Sequence, residues 1–281
     1  LLKEEFFMKR FSVICILFFC LIFSVFSQNV NGQSFWSEYV SRNWTAAEGL
    51  PGNTITDIIQ DDKGYIYIGT YDGLVRFDGV NFYVMNKASI PEFNVVSARC
   101  VFQDSKGNLW VGSNDEGLVK ISGKTYTLFT MADGLPSNSV RDITEDKNGN
   151  IWIGTSSGVV FINNHQEIIT PFKSEDVGLF INEIYCDTAN RIWIACSNYA
   201  GLYTYISGTF EKFHGYPQLN SNIITSIAQD KRGAFWFGLV SGGAIKLEDG
   251  ELFVLGKEQN MIGDTVNHIY ADSTDAVWSA T

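Results

Sequence analysis

The sequence predicts an all-β fold, a β-propeller of four-stranded blades, on three observations. A ten-residue string recurs six times, from "DDKGYIYIGT" (61–70) to "DSTDAVWSAT" (272–281), at steps of 43, 42, 41, 43 and 42 residues. Each copy places a large aromatic seventh: Tyr67, Trp110, Trp152, Trp193, Trp236 and Trp278. Composition agrees, with 14% aromatics, 26 Gly and 5 Pro, a mixture suited to many short strands joined by glycine turns. A period of about 40–45 residues holding four strands is that of a propeller blade. A lone small sheet cannot bury both faces, so the blades must stack, with the repeated Trp filling the gap between sheets.

The elements follow in order within a unit. An apolar strand such as "TITDIIQ" (54–60) or "SVRDITE" (139–145) comes first. The D-x-x-G turn follows, where Gly supplies positive φ and Asp bonds the turn backbone. "YIYIGT" or "NIWIGT" alternates faces as a second strand. "GLVRFDG" (73–79) or "GLVKISG" (117–123) is a third, and "NFYVMN" (81–86) or "TYTLFT" (125–130) a fourth. A link such as "ADGLPSN" (132–138) leads onward. Unit four departs from the pattern, with Ala189-Asn190 at the turn glycine and a link, "SEDVGLF" (174–180), without Pro or Asn.

The segment 39–53 aligns with 126–138, so 39–44 is expected to be an orphan closing strand ahead of the first blade. Residues 39–281 then hold five full blades and part of a sixth, and the chain reads as the N-terminal portion of a longer protein. Met8-Lys9-Arg10, the uncharged run Phe11–Phe26, and small Val25 and Ser27 before Gln28 read as a signal peptide within 1–27, followed by a leader at 28–38. The apolar run is short for a spanning helix, so export with cleavage is expected, and residues 1–7 read as upstream of an initiator Met8.

A net charge of −11 argues against sequence-independent nucleic-acid binding and against docking on anionic lipid. Cys100, Cys186 and Cys196 are too few and too irregular for a disulfide framework or zinc site, and read as small buried hydrophobes. No metal or cofactor is expected.

Three motifs carry a resemblance. They are Gly49-Leu50-Pro51-Gly52-Asn53 with its twin Gly134-Leu135-Pro136-Ser137-Asn138, the D-x-x-G-x-I-W-I-G-T string, and Gly73-Leu74-Val75-Arg76-Phe77. Together they resemble the two-component regulator propeller repeat, as found in periplasmic sensor regions of hybrid two-component histidine kinases. The resemblance covers 39–281. It implies a seven-bladed ring when complete, followed by a β-sandwich, a transmembrane helix and a kinase, in a homodimeric inner-membrane protein. It further implies detection of an oligosaccharide or other small ligand, with no catalysis by this segment. The alternatives are a propeller lyase resembling virginiamycin B lyase and a secreted interaction scaffold without a kinase.

"GTSSG" (154–158) fits the G-x-S-x-G pattern of a hydrolase nucleophile, but that motif needs a strand–turn–helix context, and the other units carry "GTYDG" and "GSNDEG" at the same place. Ser156 therefore reads as a loop residue. Within the first strands the copies differ at Thr56-Asp57, Arg99-Cys100, Arg141-Asp142, Asn182-Glu183, Thr225-Ser226 and Asn267-His268, positions expected to line a central channel. Candidate ligand-binding residues are Arg99 and Arg141 there, with Asn53, Tyr71, Asp72, Asn114, Asp115, Asn138, Tyr199 and Asn222 on the links and loops of one face.

Overall fold

A computed structural model describes residues 42–171, 179–197 and 201–281. The signal segment, the leader and Tyr199 lie outside the described residues. Trp44–Thr281 forms one compact unit, and the account below concerns it. Among the described residues no helix is long and apolar enough to cross a membrane.

Five four-stranded antiparallel sheets follow one another in the chain, then a two-stranded one. Blade 1 is β1 (Ile55–Gln60), β2 (Ile66–Thr70), β3 (Gly73–Phe77) and β4 (Phe82–Met85). Blade 2 is β5 (Ala98–Gln103), β6 (Leu109–Ser113), β7 (Leu118–Ser122) and β8 (Thr125–Phe129). Blade 3 is β9 (Val140–Glu145), β10 (Ile151–Thr155), β11 (Gly158–Ile162) and β12 (Ile168–Ile169). Blade 4 is β13 (Ile181–Cys186), β14 (Ile192–Cys196), β15 (Gly201–Ile206) and β16 (Thr209–Lys212). Blade 5 is β17 (Ile224–Gln229), β18 (Phe235–Leu239), β19 (Ala244–Glu248) and β20 (Glu251–Leu255), and the last pair is β21 (His268–Ala271) with β22 (Val277–Ala280). Of the expected strand 39–44, only 42–44 are described and they carry no strand. Trp44 packs its ring edge-on against Phe77 and Phe82.

The core is a series of sandwiches between neighbouring blades. Trp110 lies with Leu118, Ile143 and Ile153 between blades 2 and 3. Trp152 lies with Ile181, Ile184 and Ile194 between blades 3 and 4, and Trp193 with Ile224, Ile227 and Phe237 between blades 4 and 5. All three indoles are buried. Polar bonds add to this seam at a spacing of one repeat. The residue after the turn Asp donates its N–H to a side chain of the next blade: Asp62 to Gln103, Ser105 to Glu145, Lys147 to Asn190, Thr188 to Gln229 and Lys231 to Asp275.

The turn Asp does more than shape its turn. One carboxylate oxygen accepts the N–H groups two and four residues on, as Asp146 does from Asn148 and Asn150. The other oxygen accepts the indole N–H six residues on, in Asp104–Trp110, Asp146–Trp152, Asp187–Trp193, Asp230–Trp236 and Asp272–Trp278, at 2.7–3.0 Å. The fourth turn position is left-handed throughout: glycine in four units, Asn190 (φ 63°) in unit four and Asp275 (φ 71°) in unit six. Asn and Asp tolerate that conformation best among non-glycine residues, so unit four keeps its turn without the expected Gly.

The G-L-P-x-N link is a capped 3-10 turn. Thr130 and Asp133 close a capping box around Met131–Asp133, and Thr45 with Glu48 does the same around Ala46–Glu48. The link Asn then accepts the first N–H of that turn: Asn53 from Ala46 and Asn138 from Met131.

Candidate functional site: a polar cavity walled by the first strands

First strands of consecutive blades pack side by side, from β1 against β5 through to β17 against β21. In each complete blade the first strand slips against the second by one residue, leaving Thr56, Arg99, Arg141, Asn182 or Thr225 as the bulged residue. A bulge re-aims side chains out of the regular pleat. Here four of the bulged residues (Thr56, Arg99, Arg141 and Thr225) and the successors Asp57, Cys100, Asp142 and Glu183 line a shared cavity of about 520 Å³. Thr56 and Asp57, Arg99 and Cys100, and Arg141 and Asp142 line one part of it. Glu183, Thr225, Asn267 and His268 line the rest, with Ile55 and with Tyr71 from the β2–β3 loop.

The successor residue ties each blade to the next. Asp57 accepts the N–H of Val101 at 2.7 Å and Asp142 that of Ile184 at 2.6 Å. The other oxygen of each takes the N–H of its own following residue. Glu183 reaches Ile227 N–H at 3.5 Å, and the Ser226 hydroxyl accepts from Ile269 N–H at 3.1 Å. Cys100 stands at this position in blade 2 and is buried. Burial, the dominant cause, raises all three carboxyls: Asp57 above its ordinary value, Asp142 to about 7 and Glu183 well above the usual range.

Three of the five bulged residues donate to a carbonyl of the next blade: Thr56 to Ala98 O at 2.6 Å, Asn182 to Ile224 O at 3.0 Å and Thr225 to Val266 O at 2.5 Å. Arg99 and Arg141 do not, and the Nε of each is buried without a hydrogen-bond partner. The Arg141 guanidinium lies over the Phe180 ring, 4.6 Å from its centroid. Its pKa falls to about 10, first from burial and then from Arg99.

The candidates named from the sequence fall into three groups. Arg99, Arg141 and Tyr71 meet at the cavity. Asn53 and Asn138 hold the links, Asn114 Nδ2 donates to Ser97 Oγ, and Asn222 Nδ2 donates to Gln218 O. Asp72 and Asp115 are exposed on their loops. The cross-blade role of Asp57, Asp142 and Glu183 and the stacking of Phe180 were not read from the sequence. The one available signal was that these positions vary inside an otherwise constant frame.

Ser156 sits in the β10–β11 hairpin, with no helix after it. The Thr155 hydroxyl closes that turn on Gly158 O at 2.8 Å, and Ser156 Oγ lies 2.9 Å from Ser137 Oγ. Among the described residues no group of three His, Cys, Asp or Glu is placed to hold a metal ion.

Successive four-stranded antiparallel sheets whose first strands wall one polar cavity define a β-propeller. Four of the repeats match the model of the two component regulator propeller family, over residues 49–72, 92–115, 134–157 and 218–240. Over 68 residues the chain is 34% identical to histidine kinase P4 of Formosa agariphila, covering 24% of this chain and 5% of that protein. The extracellular domain of the putative hybrid two component system BT4673 from B. thetaiotaomicron superposes with a TM-score of 0.56 at 20% identity, over 82% of this chain and 37% of that one. Virginiamycin B lyase from Staphylococcus aureus superposes at 0.66 with 16% identity, over 80% of this chain and 76% of that one. At these identities the two solved structures are similar in fold. The chain thus spans 5% of the curated relative and 37% of the extracellular domain.

Proposed function

We propose that the chain is the ligand-sensing propeller of an exported region in a hybrid two-component sensor histidine kinase, and that its central cavity takes up a glycan-derived ligand. In this reading the segment does no chemistry. It is periplasmic, acts in a homodimer, and passes ligand occupancy through a β-sandwich and a membrane helix to a kinase that controls transcription. The observation that carries it is the contrast inside the first strands: a repeated apolar frame holds side chains that differ from blade to blade and face one polar cavity. Its volume lies within the range of small-ligand sites. The identity with histidine kinase P4 supports the kinase part.

A calorimetric and thermal-shift screen of oligosaccharides against the full chain tests this. Saturable binding of a saccharide, weakened by substitutions at the cavity and not on the outer strands, is the expected result. A response to peptides or simple ions with none to any saccharide refutes the glycan part.

One observation favours a second reading. His268 lies in the cavity, with Nδ1 3.3 Å from Ser226 Oγ. A catalytically inactive His-to-Ala variant of the S. aureus virginiamycin B lyase is known in complex with quinupristin. Turnover of quinupristin by this chain, abolished by His268→Ala, would establish a lyase in place of a sensor.

A further inference from the structure

We propose that the central cavity holds its ligand by an oxyanion, a carboxylate or a sulfate, gripped between the guanidinium groups of Arg99 and Arg141. This deepens the reading of the cavity as the sensing site and narrows the ligand to one that carries negative charge.

The five bulges provide an internal comparison. At three of them the bulged side chain is a Thr or Asn that satisfies itself on the next blade. At the remaining two, adjacent and one repeat apart, it is an arginine whose buried Nε has no partner. Buried polar atoms in native proteins are nearly always paired, so two orphans at equivalent positions call for a group from outside. Among the described residues neither arginine takes part in an ion pair. The other arginines with an orphaned Nε differ: Arg76 is sandwiched between the rings of Tyr65 and Tyr83, and Arg191 lies 3.6 Å from the Asp187 carboxylate.

The acids nearby do not serve as counter-ions. Asp57 and Asp142 use both oxygens on backbone N–H groups, and burial raises the pKa of both and of Glu183. Among the described residues neither guanidinium is ion-paired within the cavity, and burial, followed by the neighbouring Arg99, lowers the pKa of Arg141. Phe180 braces the Arg141 guanidinium from one side, which fixes the fork before a ligand arrives. A planar guanidinium pairs best with the two coplanar oxygens of a carboxylate, or with two oxygens of a sulfate. The cavity is large enough for a sugar bearing either group.

The test is calorimetry on the full chain, in buffer free of other oxyanions. The probes are glucuronate, N-acetylglucosamine 6-sulfate, their uncharged counterparts glucose and N-acetylglucosamine, and sodium acetate and sulfate. The charged sugars are expected to bind and the neutral ones to bind at least ~10-fold more weakly. Arg99→Gln and Arg141→Gln should each weaken binding about 10- to 100-fold, while Arg76→Gln leaves it unchanged. Melting curves separate this from misfolding: without ligand, either cavity variant should melt no lower than the parent, because it relieves like-charge repulsion. Glucuronate against the 6-sulfate tells carboxylate from sulfate. If acetate or sulfate binds as well as the charged sugars do, the oxyanion site stands and the saccharide reading falls. If neutral sugars bind as tightly as charged ones and the two Gln variants change nothing, the oxyanion inference falls and the saccharide reading stands. If no charged probe binds at millimolar concentration, the inference is overturned.

Discussion

The indole N–H of Trp152 donates to the carboxylate of Asp146 at 3.0 Å, six residues back along the chain. The same carboxylate holds the turn by accepting from Asn148 N, Asn150 N and Asn150 Nδ2. One side chain therefore fixes the hairpin and also fixes the depth at which the tryptophan enters the next interface. This explains why Asp and Trp recur together at constant spacing. A tryptophan chosen for bulk alone would not need a fixed partner six positions earlier.

Asp146→Ala should therefore cost about 2–4 kcal/mol, since it leaves a buried indole N–H and two turn N–H groups unpaired. Blade 1 supplies the control. Asp61 accepts from Lys63 N and Tyr65 N, and the aromatic position is Tyr67, so no indole is bonded there. Asp61→Ala should cost about half as much. Urea melts of the two variants check the difference, and equal losses would mean that the Asp–Trp bond carries no weight.

Gly154 is set by close approach. A Cβ there would come within 2.6 Å of Ile181 Cγ2 and 2.9 Å of Ile184 Cδ1 across the blade 3–blade 4 interface. Gly154→Ala should destabilise by about 1–3 kcal/mol through overpacking. Unit four carries Ala195 at this place, already buried in its interface. Ala195→Gly should cost about 1 kcal/mol or less, from lost packing and added chain entropy. Thermal melts rank the two, and a reversed order would contradict the packing account.

Asn190 fills the left-handed turn position of unit four and also accepts Lys147 N–H from blade 3 at 2.7 Å. Asn190→Gly keeps the backbone conformation and loses the cross-blade bond, so stability should change by about 1 kcal/mol or less. Asn190→Ala loses both, and should cost about 1–2 kcal/mol more than the Gly variant. Denaturant midpoints of the pair separate backbone strain from the lost bond.

How much was legible follows from what repeats. A turn, a strand and a large aromatic copied six times are visible by alignment of the chain with itself, so the blades and their stacking could be read directly. The first-strand pairs could be assigned to a channel because they vary within a constant frame. The bulge that turns Arg99 and Arg141 into the cavity leaves no mark in residue type: Thr, Arg and Asn all occupy it, and register is a property of pairing. Asn53 and Asn138 looked like ligand groups because they are polar and sit on links. They bond a 3-10 turn seven residues back, a local geometry that composition does not encode. Asp142 read as one of a variable polar pair, while its bond to Ile184 required the neighbouring blade to be in place.

The same carboxyl gives the protein a pH response. Burial raises Asp142 to about 7 against an ordinary value of 3.8, and Glu183 moves the same way. Asp57, Glu183, Cys100, Arg99, Arg141 and His268 share the cavity with it. A carboxyl whose folded pKa lies above its unfolded value binds its proton more tightly in the native state. Its stabilising contribution is full below pH 3.8 and is lost as the pH rises through about 7. Asp142 is only partly buried, so the loss should be about 1–2 kcal/mol rather than the full value of the shift. Asp142→Asn keeps an acceptor for Ile184 N–H and removes the titration. The parent should lose stability between pH 5 and pH 8 in urea melts, and the variant should lose measurably less. Parallel profiles for the two proteins would show that the Asp142 carboxyl is ionised across the whole range, with its charge held by the backbone N–H groups of Ile143 and Ile184.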